Sequence, residues 1–398
     1  MPSKSTFNDL SYFMKLTTIV NSFLNKIKNI SNLYLLPLFF TPQLAFAEFG
    51  LNLTEGVTSV SRDIYGLHML IFWVCVGIAV VVFGVMIWSM VFHRKSKGAK
   101  ASNFHESTAI ELVWTLVPLA ILVAIAFPAT RVLIDLENTD EADMTVKITG
   151  YQWKWQYEYI GQDVSFFSNL TDVQKKATND SATREGMKHY LLEVDNHLVL
   201  PVGKRIRFLM TSNDVIHSWW VRDLGVKQDA NPGFINDAWA NIDEPGIYRG
   251  QCAELCGKDH GFMPIVVEAK SEADYQIWLG EQKEKQKALA AASGKEWSKE
   301  DLMAQGQKVY STNCASCHGV TGGGIPGVFP AMTGSPITTG DVNAHIDIVL
   351  NGKAGTAMQA FGKQLSDSDL AAVITYERNA LGNSVGDIVQ PSSIKSAR

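Results

Sequence analysis

Cysteine and histidine are both scarce in this chain, five and nine in 398 residues. Nine scattered histidines are too few to build a His-rich catalytic metal domain. A basic excess is absent as well: the formal net charge is −5, which leaves no electrostatic footprint for nucleic acid. Missing too is the zinc-finger pattern of two separated ligand pairs. From Leu67 to Phe92 there is no Asp, Glu, Lys or Arg. That excludes a charged surface segment there and leaves a stretch long enough to cross a bilayer. The length gives room for two or three domains.

The cysteines that do occur are concentrated. Four fall in two tight pairs, Cys252/Cys256 and Cys314/Cys317, each closely followed by a histidine. Paired cysteines in a secreted protein can form disulfides, but the following histidine is what a metal or haem site needs. The fifth, Cys75, lies in an apolar run and reads as a small buried residue. Between Gln251 and Met263, the residues Cys252, Cys256, His260 and Met263 fall at intervals of four, four and three. Two thiolates, an imidazole and a thioether this close form a soft ligand set that favours copper. His217, 35 positions upstream, would complete a site for two coppers.

Three apolar stretches precede residue 135. Leu33 to Phe46 follows a Lys-bearing region (Lys15, Lys26, Lys28), contains Pro37 and Pro42, and ends in Ala45-Phe46-Ala47. This A-x-A pattern reads as a signal peptide over residues 1–47, cleaved after Ala47, with Met14 a candidate start and an uncleaved anchor the other reading. The next two stretches, about 67–92 and 109–133, read as a transmembrane hairpin within residues 48–135. Arg94, Lys95, Lys97 and Lys100 place the loop between them in the cytoplasm by the positive-inside rule. Both ends of the hairpin therefore face outward. An acidic stretch follows it (Asp135, Glu137, Asp140, Glu141, Asp143), and everything downstream is periplasmic or outside the cell. Glu111, at the cytoplasmic edge of the second span, either faces water or serves as a proton-path carboxylate against a partner subunit.

Residues 136–270 read as a β domain. Thr145–Thr149, Tyr190–Val194, Arg205–Met210 and Met263–Glu268 are β-rich runs separated by turn residues, as in a β-sandwich or Greek-key barrel. The polar stretch Gly161–Lys188 reads as a surface insertion. Trp153, Trp155, Tyr157 and Tyr159 alternate, the pattern of a strand with one packed face. One early histidine and a late Cys/His/Met loop is the way a cupredoxin builds its copper site. A single copper would need one cysteine; two cysteines, two histidines and a methionine suit a bridged pair.

At this point the chain resembles a known family. Val215-Ile-His-Ser-Trp219, Lys227-Gln-Asp-Ala230 with Pro232-Gly233, the loop Gln251–Met263, the aromatic segment Gly150–Tyr159 and Glu111–Pro118 together resemble subunit II of haem–copper cytochrome c oxidases, over roughly residues 55 to 270. The resemblance implies a binuclear CuA centre bridged by Cys252 and Cys256. His217 and His260 would be its terminal imidazoles, Met263 its weak thioether ligand and Glu254 a carbonyl ligand. It also implies that the Glu254 carboxylate faces a magnesium or manganese ion shared with subunit I, that electrons enter at Trp153, and that Glu111 lies at the mouth of a proton path into subunit I. The implied partners are subunits I and III, a soluble or membrane cytochrome or a cytochrome bc complex as donor, and membrane lipid. One departure is Phe234 after Pro232-Gly233, where many members have Arg, so an ion-pair role there is absent.

The charged run in residues 271–298 reads as a helical linker or tether. Residues 299–398 then carry Cys314-Ala-Ser-Cys317-His318, the c-type haem attachment signature; a redox CxxC or half a zinc site explains His318 less well. Flanking helices, Lys299–Thr312 and Ser366–Leu381, make this resemble an all-α class I cytochrome c. His318 would ligate the iron from one side and a Met from the other. Met358, shortly before the last helix, is the preferred candidate over Met332, and His345 reads as a surface or helix histidine. The fold expected is thus a transmembrane hairpin, a cupredoxin-like β-sandwich and a cytochrome c domain. The expected function is the subunit of a proton-translocating terminal oxidase in a bacterial inner membrane that passes electrons from its own haem c through CuA to subunit I. No oxygen-reducing site lies on this chain. Nitrous-oxide reductase fails for want of a His-rich domain, and a quinol oxidase subunit would lack the copper ligands. A membrane-anchored electron carrier with no oxidase attached is the alternative.

Overall fold

A computed structural model describes residues 52–100, 105–292 and 294–398; the signal-peptide reading of residues 1–47 lies outside the described residues. Two long helices, α1 (Ser59–Phe92) and α2 (Thr108–Glu137), form the hairpin. At 34 and 30 residues they rise roughly 50 and 45 Å, more than the ~30 Å hydrocarbon core. Both are apolar on every side, and Trp73, Phe83, Trp88, Trp114 and Phe127 point outward, as suits lipid or a neighbouring membrane subunit. Cys75 is exposed on α1, not buried as its apolar run suggested, because the apolar surroundings of a span come from outside the chain.

The start of α1 is tied to the domain that follows. Thr58 caps it with a reciprocal pair of bonds: Ser61 N donates to Thr58 Oγ1 (2.9 Å) and Thr58 N to Ser61 Oγ (3.0 Å). Thr58 Oγ1 also donates to Leu224 O (2.9 Å), and Val57 N donates to Asp223 O (2.8 Å). At the other end of the hairpin, Trp239 Nε1 donates to Asp135 O (3.0 Å).

The β domain has two five-stranded sheets. Its elements are β1 (Met144–Tyr151), β2 (Lys154–Tyr159), β3 (Val164–Ser168), the short helices α3 (Asp172–Ala177) and α4 (Ser181–Arg184), β4 (Leu198–Pro201), β5 (Arg205–Ser212), β6 (His217–Val221), β7 (Val226–Ala230), β8 (Asn236–Asn241), β9 (Gly246–Cys252) and β10 (Ile265–Lys270). One sheet runs β3-β2-β1-β5-β8 and the other β4-β10-β9-β6-β7. The pairs β1/β5 and β4/β10 are parallel and the rest antiparallel. Alternation on β2 buries Trp155, Tyr157 and Tyr159 between the sheets, in one core with Phe208 of the same sheet and Trp219 of the facing one. The stretch read as a surface insertion is in part structural: β3 pairs with β2, and Val164 and Ser168 are buried.

The charged run after β10 is not a free tether. Helix α5 (Glu272–Ala292) buries Tyr275 and Leu279, and Trp278 packs on Tyr159 and Phe166 with centroids 5.3 and 6.1 Å apart. These apolar residues, spaced three and four apart, form a stripe against the β domain, while the Glu residues, Lys285 and Lys287 face water.

The C-terminal region is helical: α6 (Lys299–Asn313), α7 (Ala315–His318), α8 (Pro336–Thr339), α9 (Val342–Asn351), α10 (Asp367–Asn379) and α11 (Pro391–Ala397). Helices α6 and α10 cross closely because Gly306 has no side chain; a Cβ there would lie 2.1 Å from Ala372 O. His345 is not on the surface. It is buried on α9, with Nε2 bonded to the equally buried Glu377 (3.0 Å). This region rests on the β domain, where Lys154 Nζ donates to Asn313 Oδ1 (2.7 Å) and Lys258 Nζ to Ser316 O (2.7 Å).

Candidate metal and haem centres

The fold brings His217, at the start of β6, against the loop that leaves β9 at Cys252. Ligand atoms of His217, Cys252 and Cys256 lie within 4.8 Å of one another, and all three residues are buried. Cys252 Sγ is 3.9 Å from Cys256 Sγ, 4.0 Å from His217 Nδ1 and 3.4 Å from Glu254 O. Cys256 Sγ is 3.4 Å from His260 Nδ1 and 3.5 Å from Met263 Sδ. Ligands held about 2.0–2.3 Å from a shared first-row ion in tetrahedral array stand about 3.3–3.8 Å apart. The cluster therefore fits metal, and its sulfur and imidazole donors fit copper. All six residues expected from the sequence are brought together here. The Glu254 side chain itself points to solvent.

The surroundings hold the cluster in place. His217 Nε2 is bonded to Asp214 Oδ1 (2.8 Å), which leaves Nδ1 facing the sulfurs. Gly150 lets this ring approach β1 closely; a Cβ there would be 2.7 Å from His217 Cδ2. Burial opposes a charge on His217, but the bonds to Asp214 and Cys252 outweigh it and raise its pKa. Of the two thiols Cys252 ionises first, held down by its bonds to Cys256 and His217, whereas Cys256 beside that thiolate is pushed up. Gln152 Nε2 (2.9 Å) and Trp153 Nε1 (3.1 Å) both donate to Cys256 O, and Trp155 Nε1 donates to Met263 O (3.2 Å). Trp153 is partly buried against this cluster. Asp214 and Gln152 were not singled out from the sequence. The spacing Asp214-x-x-His217, a carboxylate one short turn before a ligand, was the available signal.

In the helical region Cys314 ends α6, and Cys317 and His318 lie one turn on. His318 Nδ1 is bonded to Pro330 O (2.9 Å), and its Nε2 has no hydrogen-bond partner among the described residues. That leaves an oriented nitrogen for iron beside two free thiols. Burial raises the Cys314 thiol pKa well above its usual value, with Glu377 adding to it, and burial raises Cys317. Both thiols are thus held protonated. Met332 is buried in the domain core and Met358 packs against the same cluster. Glu111, on α2, is exposed.

A soft-ligand metal cluster on a membrane-anchored β domain, followed by a haem-attachment domain, defines a membrane-bound electron-transfer protein. Comparison with known families specifies it. Residues 47–132 match the family described as cytochrome C oxidase subunit II, transmembrane domain, and residues 144–270 match its periplasmic domain. Residues 301–376 match cytochrome C oxidase, cbb3-type, subunit III. The chain is 37% identical to a probable cytochrome c oxidase subunit 2 of Rickettsia bellii over 55% of its own length and 79% of that protein's. It is 34% identical to cytochrome c oxidase subunit 2 of Cereibacter sphaeroides (58% and 79%) and 37% identical to that of Arabidopsis thaliana (62% and 95%). The chain belongs to the cytochrome c oxidase subunit II family and carries a cytochrome c domain behind it. It is thus a subunit of a terminal oxidase whose catalytic site lies on another subunit. Membership implies copper of the CuA type, and the appended domain implies haem.

Proposed function

We propose that the chain receives electrons for its oxidase on a covalent haem c, delivers them through a binuclear CuA centre, and hands them to haem in subunit I, where oxygen is reduced and protons are pumped. The observation that supports this best is the convergence of three side-chain donors, His217, His260 and Met263, and the Glu254 carbonyl on the paired sulfurs of Cys252 and Cys256, all within 4.0 Å. His217, Cys252, Glu254 (through its carbonyl), Cys256, His260 and Met263 would hold copper. Cys314 and Cys317 would bind the haem covalently, and His318 and Met358 would ligate its iron. When bound, the two groups would supply one-electron carriers.

The chain's own residues do the rest. Asp214 holds His217 by Nε2, and Gln152 and Trp153 hold the Cys256 carbonyl. Trp153 thereby touches the cluster with its indole edge, which suits the residue where electrons enter. The outward carboxylate of Glu254 suits a magnesium or manganese ion shared with subunit I, and Glu111 suits the mouth of a proton path there. Subunit III, membrane lipid and an external cytochrome or cytochrome bc complex complete the partners, in a bacterial inner membrane with the large domains periplasmic. Purification from membranes tests this. Two coppers and one covalent haem per chain, co-isolation with a haem-bearing integral partner, and oxygen uptake are expected. A chain that isolates alone without oxygen uptake is instead a membrane-anchored carrier; one copper, or zinc, overturns the binuclear centre.

A further inference from the structure

We propose that Gln359 is a positioning residue for electron transfer between the two centres, joining the loop of Met358 to the copper ligand His217 through Asp214. The proposal rests on the functional reading above, in which Met358 and His217 belong to the haem and copper sites. Gln359 immediately follows Met358. Its Nε2 donates to Asp214 Oδ2 (3.0 Å) and to Gln152 O (3.3 Å). Asp214 divides its two oxygens: Oδ1 is bonded to His217 Nε2 (2.8 Å) and accepts from Val215 N (2.7 Å). Oδ2 accepts from Gln152 N (2.7 Å) and from Gln359. One carboxylate thus links a metal ligand, the loop that bears Trp153 and the other domain.

The orientation of the Gln359 amide is fixed from behind. Gln364 is buried and donates from Nε2 to Gln359 Oε1 (3.3 Å) and Ala360 O (2.8 Å). That turns the Gln359 oxygen inward and its NH2 group onto the carboxylate. A hydrogen bond to a charged acceptor is stronger than a neutral one and sensitive to direction. The two lysine contacts, at Asn313 and Ser316, join the domains elsewhere and do not reach the group that holds His217. Gln152 and Lys154, on either side of Trp153, are both bonded to the haem domain. The same contacts therefore set the appended domain beside the tryptophan.

The test uses the full-length chain with both cofactors and the variants Gln359→Leu and Gln359→Glu. Deuterium exchange is read in segments 150–156 and 353–364, and copper reduction is followed after flash reduction of the haem. Both variants should keep both optical spectra, exchange faster in both segments, and transfer about tenfold more slowly, the size of one lost hydrogen bond to a charged group. Glu, which sets like charges together, should be the slower. If Gln359→Leu does not load its cofactors, Gln364→Ala, which frees the amide and leaves Gln359 and Asp214 themselves in place, should move both readouts the same way. Unchanged exchange and unchanged rate in the Leu variant, or in Gln364→Ala where that replaces it, would overturn the proposal. An unsubstituted chain in which haem never reduces copper would overturn the functional reading instead, and exchange alone would then decide the role of Gln359.

Discussion

His217 is set by its neighbours as much as by the sulfurs it faces. Its Nε2 is held by Asp214, so the ring presents Nδ1 to Cys252 in one tautomer. Losing such a partner of a metal ligand typically lowers metal affinity about 10–100-fold. Asp214→Ala should therefore weaken copper binding by that factor in a titration against a competing chelator, and an unchanged affinity would remove Asp214 from the site. The two proposed thioethers separate the centres spectroscopically. Met263→Leu should alter the copper absorption and leave the haem bands intact, and Met358→Leu should do the reverse. If Met332→Leu, and not Met358→Leu, changes the haem bands, the iron-ligand assignment moves to Met332, which shares that core.

At the scale of elements, α5 is the place where composition misleads most. A run rich in Glu, Lys and Gln reads as a solvated tether, yet Tyr275, Trp278 and Leu279 are enough to seat the helix on Tyr159 and Phe166. Leu279→Ala should destabilise the β domain by about 3 kcal/mol, the usual cost of a buried Leu truncation, measured by denaturant unfolding. A change below about 0.5 kcal/mol, the range of surface substitutions, would return α5 to the role of a tether. Features with a period were readable beforehand: the apolar spans, the alternation on β2, the ligand spacing in the copper loop and the Cys314–His318 signature. What was not readable depends on the partner a segment meets, near or far along the chain. β3 is a strand because β2 offers it an edge, and His345 is buried because Glu377, 32 residues away, supplies its partner. Cys75 is exposed because no other part of the described chain covers α1 at that level.

For the whole molecule, the junction between the copper and haem domains is built around a lysine with little access to water. Lys154 is 5% exposed, bonds to Asn313 Oδ1 and lies over the Phe167 ring at 4.5 Å. Burial lowers its pKa to about 8, although the carboxylates of Asp214 and Asp195 act the other way. In the unfolded chain the amine titrates near the ordinary value of 10.5. Between about pH 8 and 10.5 the unfolded state therefore binds more protons, and stability rises with pH through that window. Below about pH 8 both states are protonated and the cost of burying the charge is constant. A thioether at Cys314 would be uncharged, as the protonated thiol is, so the window persists in the haem-bearing chain. Lys154→Met keeps the packing on Phe167 and cannot titrate. Urea unfolding midpoints taken from pH 7 to 10 should rise for the native chain above about pH 8, and the Met variant should lack that rise. Parallel curves for the two proteins would mean that Lys154 keeps its proton in the folded state and that the junction is wetter than its burial implies.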